Sequence, residues 1–263
     1  MQLLAALDVY IFVGNDLSLS GRIIETGKNM KANITRSILI GALLTIALSF
    51  VPYAQFLTYP VRLFVTFIHE GGHALAALLT GGLPVALGVS PDASGVTLTR
   101  GGIGAVVNAA GYLGATLFGA LILAALRRGL APKKLLRVMA VSVALTLPLA
   151  FFGLVAAPGA FFALVTGIPI AGLLFLAASK LGRPNQELLV GFLGVQCVLN
   201  AFFDLRTLFL LSAQTNAHTD AQNMQQATLI PAIVWASLWM LSAVAILIGL
   251  VVRPMLSDLK SGR

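Results

Sequence analysis

After residue 36 the chain alternates long apolar runs with short polar interruptions. Seven runs approach the roughly 20 residues a helix needs to cross a bilayer. They cover approximately residues 37–53, 60–79, 101–126, 137–156, 159–178, 187–212 and 229–251. Helices are the expected form because they satisfy every backbone polar group within one segment. Pro148 and the Ala157-Pro158-Gly159 turn signal interrupt the fourth and fifth runs. Between the second and third, Pro84 to Val89 and Val96 to Thr99 flank Pro91-Asp92-Ala93-Ser94-Gly95, a pattern of two short strands joined by a turn. The expected architecture is an all-α polytopic membrane protein with about seven apolar helical segments and a candidate short β-hairpin.

Composition agrees with this pattern: 58% of residues are hydrophobic and only 10% charged, so water is a poor solvent for the chain. Residues 1–36 read as an N-terminal polar and amphipathic segment, 37–251 as one membrane-embedded domain and 252–263 as a C-terminal tail. The run from Leu3 to Val13 contains Asp8 and lacks a basic leader and a small-residue cleavage signal, so a removable signal peptide is not expected. Cys197 has no second cysteine to pair with and lies in an apolar run, which suits a small packed side chain.

The formal net charge of +8 is concentrated beside the apolar runs, at Arg22 to Arg36, Arg127 to Arg137, Lys180 to Arg183 and Arg253 to Arg263. Short clusters so placed match lipid headgroups and topology control rather than a phosphate-tracking groove, and no nucleic-acid partner is expected. Most of these clusters favour a cytoplasmic C-terminus, against the N-terminal one. The expected location is a bacterial cytoplasmic membrane, and the oligomeric state is open.

His69-Glu70-Gly71-Gly72-His73 interrupts the second apolar run. On a helix His69 and His73 stand one turn apart on one face, where both imidazoles can approach a single ion, with Glu70 beside them within reach of its water. This H-E-x-x-H spacing fits two zinc ligands and a general base. A polar cluster in a transporter or channel is the competing reading. A third protein ligand has to come from elsewhere in the chain.

Two aspartates compete for that place. Asp204 lies in the sixth apolar run, where a salt bridge or polar contact with Arg206, Arg62 or Asn108 is the alternative role. Asp220 precedes the last run, where it or Thr219 can equally cap a helix. His218 is a further nitrogen donor that fits an exposed loop better. Gly71 and Gly72 leave room for a close helix or a substrate backbone, and Gly111, Gly114 and Gly119 for close helix packing. Asn108 and Asn200 read as packing groups, and Trp235 and Trp239 as a packed stripe or an interfacial anchor.

Phe67-Ile68-His69-Glu70-Gly71-Gly72-His73-Ala74-Leu75-Ala76-Ala77, followed by Thr80-Gly81-Gly82, resembles the M50 metallopeptidase family, in its M50B-like branch related to site-2 proteases. Asn108 to Gly114, and the stretch from Thr219-Asp220-Ala221 to Trp235, resemble later blocks of the same branch. The resemblance spans roughly residues 55–250. It implies Zn2+ as cofactor with His69, His73 and Asp220 as ligands, Glu70 as the catalytic residue, and hydrolysis of peptide bonds in membrane protein or peptide substrates. It also implies that an open hairpin edge pairs with unwound substrate, where the plain alternative is a connecting hairpin. The Asp-Gly motif of the better-known site-2 proteases has no counterpart in Asp204-Leu205 or Asp220-Ala221. A non-catalytic membrane scaffold or chaperone-like relative, and after it a transporter, are the alternative functions.

Overall fold

The structure, a computed structural model, describes residues 34–36, 38–45, 47, 54–212 and 219–261. Its elements are α1 (Ile34–Thr45), α2 (Ala54–Leu79), β1 (Leu83–Val89), β2 (Gly95–Arg100), α3 (Gly104–Arg127), α4 (Pro132–Ala144), α5 (Leu147–Phe152), α6 (Ala160–Lys180), α7 (Arg183–Ser212), α8 (Asp220–Thr228), α9 (Ala232–Leu247), a π turn (Ile248–Val252) and α10 (Arg253–Ser261). Helices dominate, and the expected hairpin is present as one antiparallel pair.

Four helical stretches among the described residues are long and apolar enough to cross a membrane: Gly104–Arg127, Pro132–Phe152, Ala160–Lys180 and Ala232–Ser257. The count of about seven is therefore not confirmed. The run at 60–79 lies inside α2, where the histidines, the glutamate and Arg62 lower its hydropathy. The runs at 37–53 and 187–212 reach residues, or side chains beyond Leu199, that lie outside the described set. The fourth span bends where expected, with α4 ending at Ala144 and Pro148 in the first turn of α5. The spans expose large apolar groups such as Phe161, Leu173 and Leu241, a surface that suits lipid and would be a liability in water.

Small residues bring the central helices close together. A Cβ added at Gly72 would fall within 3.0 Å of the Ala110 carbonyl, which sets the α2–α3 crossing, and one at Gly119 would meet Gly194 and Cys197 across the α3–α7 crossing. Cys197 is fully buried there, the packed role its surroundings predicted. Around these crossings Phe64, Phe67, Leu123, Leu126, Leu136 and Met139 form the main core.

The hairpin folds back along α2. Gly82 and Gly101 sit against each other at its base, and its tip returns toward the start of the helix. Tyr59 donates its hydroxyl to the Pro91 carbonyl (2.6 Å), Arg62 to that of Asp92 (3.1 Å) and Thr66 to that of Ala93 (2.7 Å). These positions, spaced three and four apart, form one stripe of α2 that continues to Glu70. Inside the tip, the Ser94 hydroxyl and amide both donate to Asp92 Oδ1 (2.7 and 2.9 Å), holding that carboxyl below the usual carboxylate range. β1 is buried toward its end, while β2 is half-buried along its length.

Candidate metal centre

His69, Glu70 and His73 occupy the middle of α2, and their ligand atoms all lie within 4.8 Å of one another. Glu70 is 3% exposed and His73 6%, so the cluster faces the protein interior and its polar atoms require partners there. His73 Nδ1 lies 2.7 Å from the Val107 carbonyl on α3. Because a carbonyl only accepts, Nδ1 carries a proton, which leaves Nε2 as the ring atom turned toward the other donors. That Nε2 is 3.1 Å from Nε2 of His69.

Asp220 arrives from the far end of the sequence. The Thr219 hydroxyl accepts the Gln222 amide at 3.3 Å, capping α8. Capping therefore falls to Thr219, which leaves the Asp220 carboxylate available. Ala221 and Met224 are buried against Trp239 of α9 and against Ala109 and Tyr112 of α3, and this packing seats the first turn of α8 on the α2 histidines. Asp220 Oδ2 is 3.4 Å from Nε2 of both His69 and His73. Two imidazole nitrogens and a carboxylate oxygen thus face one point, an arrangement that needs a proton or a cation to be favourable.

The space at that point is provided by Gly111. A Cβ there would fall within 3.0 Å of Nε2 of both histidines, so the two imidazole nitrogens border a space that only glycine leaves free. The residues present fit a bound metal ion on both counts, donor chemistry and room. Tyr112, the next residue, sets its ring edge-on to His69 with centroids 4.7 Å apart and stacks on Trp239 at 5.8 Å. Trp239 is thereby a packed residue, and Trp235 donates to the Thr228 hydroxyl at 3.1 Å.

Glu70 points toward the hairpin. The Thr97 hydroxyl lies 2.6 Å from Glu70 Oε2 and 3.1 Å from the Glu70 carbonyl. Of the residues singled out from the sequence, His69, Glu70, His73 and Asp220 are brought together. The backbone of Asp204 lies in α7, but its side chain, like that of Asn200 and all of His218, lies outside the described residues. Sequence reasoning missed Thr97, Gly95, the Val107 carbonyl and the use made of Gly111. For Gly111 the only signal was its place in the Asn108 to Gly114 block, read there as helix packing.

A family model described as Peptidase M50B-like matches residues 39–250. No curated protein and no solved structure matches the chain. Together with the apolar helices, the family match describes an integral membrane protein.

Proposed function

The chain belongs to the M50B-like peptidase family, and from that premise we propose that it hydrolyses peptide bonds of membrane-associated proteins, using zinc held by His69, His73 and Asp220 with Glu70 as general base. One observation carries the reading: the three donor atoms are separated by 3.1, 3.4 and 3.4 Å. Tetrahedral ligands at about 2.0–2.1 Å from zinc lie roughly 3.3–3.4 Å from one another, so the triangle is already of the required size. Three protein ligands leave a fourth position for water or substrate, the pattern of catalytic rather than structural zinc sites.

When bound, the ion supplies Lewis-acid polarisation of the scissile carbonyl and lowers the pKa of the attacking water. The chain's own groups handle protons and geometry. Glu70 takes a proton from the water as its oxygen bonds to the carbonyl carbon, then delivers it to the amide nitrogen as the C–N bond breaks. His73 is fixed in the ligating tautomer by the Val107 carbonyl. The half-buried β2 strand, beside Glu70, offers an extended edge to a substrate segment that has unwound and needs partners for its freed backbone groups.

Zinc content per folded protein, measured after detergent purification, tests the centre. The parent is expected to hold about one ion per chain, with loss in His69→Ala and Asp220→Ala and retention in Asp204→Ala, folding being monitored in each. Retention in Asp220→Ala together with loss in Asp204→Ala would move the third ligand to α7. No specific zinc in any folded sample would favour a scaffold or transporter. Zinc retained without cleavage of any peptide would favour the scaffold.

A further inference from the structure

We infer that strand β2 aims the Glu70 carboxylate, with Thr97 as the positioning residue that fixes one oxygen and Gly95 as the place where the other lies. The inference deepens the peptidase reading and rests on it for its catalytic consequence. Its structural part stands on the hairpin alone.

Both carboxylate oxygens are referenced to the same strand. Oε2 receives the Thr97 hydroxyl at 2.6 Å. A Cβ added at Gly95 would fall within 3.0 Å of Glu70 Oε1, Cγ and Cδ, so the carboxylate rests against bare backbone that any other residue would cover. Gly95 and Thr97 are two apart and therefore share a face of β2, the face turned to α2. The turn that leads into the strand is held to α2 by Tyr59, Arg62 and Thr66, whose bonds to the Pro91, Asp92 and Ala93 carbonyls run along the stripe that ends at Glu70. A long, flexible glutamate is thus confined by a rigid neighbour instead of by its own rotamers. Confinement of this kind converts a nearby base into one at reactive distance, and displacement of about 1 Å can cost a hundredfold in rate.

The strand that orients the base also carries the edge open to an extended peptide. Substrate order and base position are therefore set by one element. Thr97 acts through Glu70 and touches no ligand atom of the centre, so its removal is expected to leave zinc content unchanged.

Two substitutions perturb the contact in opposite ways. Thr97→Val removes the hydroxyl and keeps the volume. Gly95→Ala inserts a methyl group against the carboxylate end of a flexible side chain, which can swing aside without moving backbone. For each, kcat on a membrane-embedded peptide substrate is expected to fall roughly tenfold to a hundredfold, a part of the 10²–10⁴ that a general base contributes in full, with KM and zinc content held near the parent values. Thr97→Ser, which restores the donor, is expected to recover most of the rate.

A readout independent of cleavage accompanies these assays. On metal-depleted protein in detergent, the change in Tm caused by Glu70→Gln is compared in the parent and in the Thr97→Val background. Coupled groups should give changes that differ by about 2–4 °C. Additive changes overturn the inference, as does parent-like kcat in both Thr97→Val and Gly95→Ala. A parent that cleaves nothing in a Glu70-dependent manner defeats the peptidase reading instead. The contact is then decided by the thermal cycle alone, non-additivity supporting it and additivity overturning it.

Discussion

A methyl group at position 111 would stand against Nε2 of both His69 and His73, the atoms that would hold the proposed metal ion. Gly111→Ala is therefore expected to lower zinc affinity by at least the roughly 10–100-fold typical of disturbed supporting groups, with the helix intact because alanine favours it. Gly104→Ala, at a position with open space around it, is the control and should keep the metal. Zinc titration of both variants checks this, and equal affinities would show that the donors close elsewhere. The histidines and Glu70 were legible because an i, i+4 pair on a helix dictates a shared face. Gly111 was not, since a glycine in an apolar helix ordinarily reads as a packing position, and its neighbours across space came from a different helix. The residues alone left Asp204 and Asp220 as alternatives, and what they did not reveal is the course of α8, capped by Thr219 and seated by Ala221 and Met224, which brings Asp220 beside the histidines. The alanine following Asp220 is fully buried, which fits a helix turn rather than the Asp-Gly of the related proteases.

At the scale of elements, Gly71 and Gly72 look equivalent in the sequence and differ in the fold. A Cβ at Gly72 meets the backbone oxygen of Ala110, which cannot move without shifting α3, whereas one at Gly71 comes 3.3 Å from a methyl of Thr146. Gly72→Ala should cost about 1–3 kcal/mol as overpacking, lower Tm by several degrees and disturb the α2–α3 contact on which the Val107 bond depends. Gly71→Ala should stay close to the parent. Thermal unfolding of the two in the same detergent separates them, and equal losses would mean that α3 yields more easily than its packing suggests. The hairpin strands and turn were readable almost to the residue, because β-branched runs around a Pro-Asp-Ala-Ser-Gly turn carry their own signal. Its course back along α2 was not readable, since that depends on Tyr59, Arg62 and Thr66 finding carbonyls some thirty residues away in sequence.

Considered as a whole molecule, the bundle separates its charges by end. α3 and α7 cross in opposite senses, Leu123 meeting Gly194 while Gly119 meets Cys197 and Val198, so the end of α3 and the start of α7 point the same way. Arg127 bonds the Val251 carbonyl at 3.4 Å, which brings the end of α9 to that side too. Arg128, Lys133, Lys134, Arg137, Lys180, Arg183 and Arg253 therefore gather at one end, whereas the start of α3 and the hairpin base lie at the other. Arg100 at the hairpin base is the exception, and by the tendency of basic loops to stay inside, the expected orientation has the basic end in the cytoplasm. Cys197 is fully buried, so single cysteines introduced elsewhere can be read without background. With a membrane-impermeant maleimide on intact cells, Ile103→Cys is expected to label at once. Leu130→Cys and Leu181→Cys should react only after permeabilisation. Labelling of Leu130→Cys and Leu181→Cys from opposite sides would break the shared end, and prompt labelling of both would invert the protein. In the expected orientation the hairpin tip, held at Tyr59 near the start of α2, points toward the cytoplasm from a base on the far side. The Glu70 centre then lies between the two surfaces, where a helical substrate of the proposed peptidase would have to unwind within the bilayer before its backbone could reach β2.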